Sequence, residues 1–200
     1  MPVVPPDSGR NIPSRGRCFL YVFASDWEDL LKLGISRDPL ERAQALHPRW
    51  FEFFDLERGF LVEFDRVREA RDHELALGHR LAGHRAVAPL TVREEAGGFT
   101  EWFRGASALL DEAMHAFATH GHVVHAPLRP WLRDALQARG ALLYEWTQSG
   151  LDADDLDASD AGTPRRQTVR DALDAHAALG IDLAPLLPEP VLAWHRGLRG

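Results

Sequence analysis

The spacing of apolar positions changes several times along the chain, and each change marks an element. Residues 18–24 (CFLYVFA) form an unbroken aromatic and β-branched run, which predicts a buried strand. A polar turn from Ser25 to Asp29 leads to residues 30–36 (LLKLGIS), where Leu31, Leu33 and Ile35 alternate with Lys32, Gly34 and Ser36. A period of two predicts a second strand, paired with the first as a hairpin, with one apolar face and one face carrying Lys32. Asp38 followed by Pro39 is a helix start, an acid at the cap and proline at the first helical position. Leu40, Ala43 and Leu46 carry that helix to about His47, with Arg42 on the flank of the stripe. Residues 58–65 predict a third strand. Residues 66–85 predict a long helix whose stripe is Val67, Ala70, Glu74, Leu77 and Leu81. A loop over 86–98 precedes a short extended piece, Phe99 to Phe103, and a helix from about Ala106 to Thr119.

Past residue 120 the pattern is helical only. Pro127 and Pro130 mark a boundary, a helix follows to about Gln148 with a break near Gly140, and Thr163-Pro164 caps another that runs to about Leu179. A last short helix follows Pro190. Residues 151–162 (LDADDLDASDAG) read as an acidic, solvated loop. They lack the glycine and terminal glutamate of a calcium-binding loop. The division expected is an N-terminal arm over 1–17, a domain over 18–120 and a helical region over 121–200.

Composition narrows the function classes. The chain has 200 residues and a formal charge of −7, split as −4 before residue 121 and −3 after it, so neither half is a broad basic surface. One cysteine, Cys18, rules out an internal disulfide framework and a cysteine-based zinc finger. No apolar run has the length of a membrane span, and residues 1–17 are proline-rich without the apolar core of a secretory signal. A cytoplasmic location without membrane contact is the expectation. Of the 23 basic residues, 22 are arginine, and the single lysine is Lys32.

Four short segments then carry chemistry in order. Phe19-Leu20-Tyr21-Val22 and Leu31-Lys32-Leu33-Gly34 sit on the two hairpin strands, Glu41-Arg42 on the first helix, and Thr100-Glu101-Trp102-Phe103 near the last strand-like piece. Over residues 18–118 this order resembles the GIY-YIG nuclease superfamily, more closely its T5orf172/Mug113-like branch, in which a lysine stands at the second motif. The resemblance implies an α/β (α+β) fold. A small antiparallel three-stranded sheet would be flanked by helices and followed by an all-helical C-terminal extension. It also implies a metal-dependent endonuclease acting on nucleic acid, DNA before RNA. Tyr21 would be the general base, Lys32 and Arg42 the electrostatic stabilisers, Gly34 a structural motif residue, and Glu101 the ligand of one Mg²⁺ or Mn²⁺.

The chemistry is coherent in itself. Phosphodiester hydrolysis needs a base for water, a cation for the charge that develops on phosphorus, and a metal or acid for the leaving oxygen. A free phenol is a poor base at neutral pH, so a cation beside Tyr21 is expected to lower its pKa, and Lys32 is the neighbour on the hairpin face. The branch often carries a Glu-x-x-Leu-His run on the long helix. Here Glu74 is followed by His79 one place late, a rotation of about 100°. Glu74 and His79 are thus candidates to support the site, and Arg37 and Arg49 to meet substrate. His120-x-His122-x-x-His125 has the density of a metal site but no carboxylate or cysteine at short spacing, and reads as a helix end. The competing reading is an inactive module that kept the fold and binds nucleic acid, or a protein partner through the C-terminal helical region.

Overall fold

The computed structural model describes residues 17–97, 99–151, 156 and 163–197. Most of the N-terminal arm and most of the acidic loop therefore lie outside the described residues. The hairpin is β1 (Cys18–Ser25) and β2 (Leu30–Ser36); α1 (Pro39–Leu46) and the short α2 (Trp50–Phe53) precede β3 (Phe54–Phe64). Then come α3 (Val67–Arg80), β4 (Arg85–Ala86), β5 (Trp102–Arg104), α4 (Ser107–Thr119) and β6 (Val124–His125). The C-terminal helices are α5 (Leu128–Gln137), α6 (Leu143–Gly150), α7 (Pro164–Ala178) and α8 (Glu189–Gly197).

The fold is α+β, and its sheet is larger than the sequence pattern indicates. Among the described residues it has six strands in the order β4-β5-β2-β1-β3-β6, each neighbouring pair antiparallel. The three-stranded expectation fails because β4, β5 and β6 are two or three residues long, too short for a period of two to register. For the same reason the region after residue 120 is not purely helical: Val124 and His125 pair with Val62 and Leu61 as the far edge strand.

Both sheet faces are covered. Leu20, Val22, Leu31 and Leu33 pack under α3 and α4 through Ala70, Leu77, Leu110 and Phe117. On the other face Phe19, Tyr21 and Phe23 meet α1, α2 and α5. The aromatic run Trp50, Phe51, Phe53 and Phe54 is core here, not an exposed stacking surface, whereas Trp27 is exposed. The stripe Leu128, Leu132 and Leu136 of α5 is buried in this same cluster, at about 2 kcal/mol per leucine. A further cluster, including Leu143, Val169, Leu173 and Trp194, holds α6, α7 and α8 together.

The caps behave as the sequence predicts. The Asp38 side chain accepts the Glu41 amide at 3.0 Å, and the Thr163 side chain accepts the Arg166 amide at 3.3 Å. The C-terminal helices are fastened to α2 by Arg49, whose guanidinium meets Asp171 at 2.9 Å and Asp174 at 3.0 Å, while Asp174 also bonds His195 Nε2 at 2.9 Å. No helix among the described residues is long and apolar enough to cross a membrane.

Candidate active site

The register of the hairpin places the first two motif residues. Tyr21 pairs with Gly34 and Phe23 with Lys32, so Tyr21 and Lys32 lie diagonally on one face. The face that carries Lys32 is closed: α1 and residues around Ala88 and Val92 cover it, and Lys32 and Tyr21 are each 1% exposed. Gly34 is needed because the Tyr21 ring lies across it. A Cβ there would fall 2.6 Å from Tyr21 Cζ and closer still to the hydroxyl. Phe23 stacks on the Tyr21 ring, with centroids 4.4 Å apart.

Helix α1 brings Arg42 to the phenol. Its Nε donates to Tyr21 Oη at 3.0 Å, and a terminal nitrogen donates to the Ala96 carbonyl at 2.5 Å. Lys32 Nζ donates to the Leu33 carbonyl and to Glu101 Oε2, both at 3.0 Å. Glu101 immediately precedes β5, which pairs with Leu30 to Lys32 of β2, and its main-chain carbonyl takes the Leu33 amide at 3.0 Å. The Thr100 hydroxyl holds its other carboxylate oxygen. The Glu101 side chain is 40% exposed and Arg42 is half-buried, while Tyr21 and Lys32 are closed off from solvent.

Glu74 joins this set from α3. It is half-buried, the Ile35 amide bonds its carboxylate, and its charge is felt by Tyr21, Lys32 and Glu101. Burial first and then the Glu101 charge push its carboxyl up, against Arg71 and Lys32, which pull it down. Lys32 is pushed down from 10.5 to about 8 by burial, with Glu101 resisting. In Glu101 burial acts upward, but Lys32 and the Thr100 hydroxyl outweigh it and hold the carboxyl low. Burial raises the Tyr21 phenol despite the charge and hydrogen bond of Arg42. Two expectations change here. The cation acting on Tyr21 is Arg42 rather than Lys32, and its pull is smaller than the cost of burying a phenolate.

Other candidates stand elsewhere. His79 is exposed in the last turn of α3. Arg37 is exposed, and its charge reaches Cys18. Arg49 is engaged by Glu52, Asp171 and Asp174, which tie it to the C-terminal helices. The three histidines past α4 do not form one cluster. His120 Nδ1 bonds the Ala116 carbonyl at 2.6 Å, His125 Nε2 bonds Glu63 at 2.6 Å, and His122 turns toward α3. The role of the Ala96 carbonyl was not legible, because nothing in a loop sequence marks which carbonyl will meet a guanidinium.

Among family models, curated proteins and solved structures, none matches this chain.

Proposed function

We propose that the chain is a metal-dependent endonuclease of GIY-YIG type that hydrolyses nucleic-acid phosphodiester bonds, with DNA as substrate. The observation that supports this reading is convergence. Tyr21, Lys32, Arg42 and Glu101, read from four separate segments, are linked in two hydrogen-bonded pairs on one side of one hairpin, with Glu74 within electrostatic reach. Chance burial of unrelated polar residues does not select the same four.

The donor set fits one hard divalent cation. Glu101 offers a half-exposed, ionised carboxylate with Glu74 nearby, and Mg²⁺ commonly uses one or two carboxylates with water and phosphate completing its shell. When bound, Mg²⁺ or Mn²⁺ supplies Lewis-acid charge to the departing oxygen. Lys32 fixes the orientation of Glu101. Arg42 presents a planar fork to phosphate oxygens, which displace the neutral Ala96 carbonyl. Tyr21 is the base in this reading. Because burial raises its phenol, cleavage should keep climbing toward alkaline pH; a profile flat from pH 7 to 10 reassigns Tyr21 to positioning Arg42.

The test is cleavage of supercoiled plasmid and branched DNA by the purified chain in Mg²⁺ or Mn²⁺. Glu101→Ala should lower the rate about 100-fold or more, the loss of roughly 3 kcal/mol of charge stabilisation. Tyr21→Phe should also be defective. No cleavage by the parent, or undiminished cleavage by both variants, removes the proposal. The burial of Tyr21 and Lys32 favours a second reading, an inactive module of the same fold. Metal-independent DNA binding, or a stable protein complex through the C-terminal helices, without cleavage would support it.

A further inference from the structure

We infer that Glu69, His73 and His122 form a binding site for one Zn²⁺-class divalent ion, separate from the hairpin site. One ligand atom from each of the three residues lies within 4.8 Å of the other two. In a tetrahedral zinc site with bonds of about 2.0–2.1 Å, ligand atoms stand roughly 3.4 Å apart, so side-chain adjustments of about 1 Å close the set. Two imidazole nitrogens with one carboxylate suit zinc and its transition-metal neighbours better than the all-oxygen preference of Mg²⁺ or Ca²⁺. Three protein ligands leave a fourth position for water.

The set is built by two elements. Glu69 and His73 are four residues apart on α3 and therefore share a face. His122 is delivered by the end of α4. There Gly121 takes a positive φ of 87°, the Gly121 amide bonds the Ala118 carbonyl at 3.1 Å, and the His122 amide bonds the Phe117 carbonyl at 3.1 Å. This reversal, which needs a residue tolerant of the left-handed region, turns the chain back over α3. The rings are then walled by buried aromatics. Phe64 lies 5.2 Å from His73 and 4.9 Å from His122, and Phe117 lies 5.1 Å and 5.5 Å from them, centroid to centroid. The two imidazoles are 5.9 Å apart at 80°. Ordinary roles exist for single members. Glu69 suits the first turn of a helix, and His122 packs on Phe117 as such helix ends require. Neither role explains why two ring nitrogens and a carboxylate converge at a half-buried place.

Bound metal would tie α3 to the turn between α4 and β6. The missing carboxylate of the His120–His125 segment is thus supplied from a helix some fifty residues earlier. The test is isothermal titration of the full chain with ZnCl₂, with Co²⁺ as a spectroscopic probe. One Zn²⁺ per chain should bind at micromolar concentration or tighter, Co²⁺ should give the visible bands of a four-coordinate site, and Zn²⁺ should raise the unfolding temperature. Glu69→Gln and His122→Gln should each weaken binding about tenfold or more. Glu69 is exposed, so its variant keeps the fold, as far-UV circular dichroism without metal will register. Zn²⁺ binding should persist in excess Mg²⁺, which competes only at an all-oxygen site such as Glu101, and this separates the site from the nuclease proposal. Absence of stoichiometric binding, undiminished binding in both site variants, or displacement of Zn²⁺ by excess Mg²⁺ would overturn the inference.

Discussion

Lys32→Met tests whether the buried lysine is held against stability. Lys32 is 1% exposed and burial takes its pKa from 10.5 to about 8, with the attraction of Glu101 already included. At 1.36 kcal/mol per pH unit, keeping the ammonium charged in the folded chain costs about 3 kcal/mol at neutral pH. Methionine has a similar reach and no charge. It removes that cost but leaves the Leu33 carbonyl without the Nζ donor, worth about 1 kcal/mol. The variant should therefore be about 2 kcal/mol more stable at pH 7, or roughly 4–8 °C higher in Tm for a chain of this size. Between pH 8 and 10.5 the unfolded parent binds more protons at Lys32 than the folded parent, so the parent's stability rises with pH in that window. The gap between variant and parent should close and then reverse by about pH 10.5. Groups common to both chains cancel. The loss of Lys32 beside Glu101 changes only the acid limb, where a carboxyl held low contributes stability that is lost as pH falls through its folded pKa. The assay is urea unfolding followed by tryptophan fluorescence, in EDTA, at intervals from pH 6 to 10.5. A variant no more stable than the parent at pH 7, with a gap that stays constant as pH rises, refutes the reasoning.

Two further substitutions probe the frame around the site. Gly34→Ala should cost about 1–3 kcal/mol, because the Tyr21 ring that a Cβ would strike is itself pinned by Phe23; in metal-containing buffer the same variant should lose cleavage. Thermal unfolding checks the first, and an unchanged Tm would show that the ring moves freely. Arg49→Ala should cost about 2 kcal/mol and speed amide exchange in α7 and α8 before exchange in β1, since Asp171 and Asp174 lose a shared partner. Burial alone would raise Asp174, but His195 and Arg49 together hold it low, so its contribution is present above about pH 3.8 and is lost as pH falls through the folded value. Without Arg49 that acid loss should begin at a higher pH, as unfolding midpoints between pH 3 and 6 would record.

Local signals were legible and long-range ones were not. The caps at Asp38 and Thr163, the hairpin and the stripes of α1 and α3 each depend on residues within a few positions, and periodicity or a cap pair reveals them. Strands β4, β5 and β6 exist because a longer neighbour offers an edge, and a two-residue segment carries no period. Lys32 shows the same limit from another side. Alternation with leucines marked its strand face, but that face is polar only if nothing covers it, and the covering helix α1 packs there through Leu40 and Leu46. The motif residues Tyr21, Lys32, Arg42 and Glu101 were named by the family resemblance of four short segments in order. Their pairing, Arg42 with Tyr21 and Lys32 with Glu101, depends on where β5 and the Ala96 loop come to rest.

That pairing bears on how an acidic chain could act on a polyanion. Several arginines are met by carboxylates: Arg17 by Glu63, Arg80 by Glu112, Arg104 by Glu28, Arg129 by Glu57 and Arg139 by Asp38. Arg42 differs, because its hydrogen-bond partners are a phenol oxygen and a main-chain carbonyl, both neutral. A phosphate arriving at Arg42 would exchange a neutral acceptor for a charged one, and hydrogen bonds between ionised partners are roughly twice as strong as neutral ones. At the carboxylate-paired arginines the same phosphate would first have to break an ion pair and would gain little. In the proposed reaction, the gain on phosphate binding is therefore greater at Arg42 than at these carboxylate-paired arginines. The salt dependence of DNA binding should then correspond to about one or two phosphate contacts rather than the many of a basic groove.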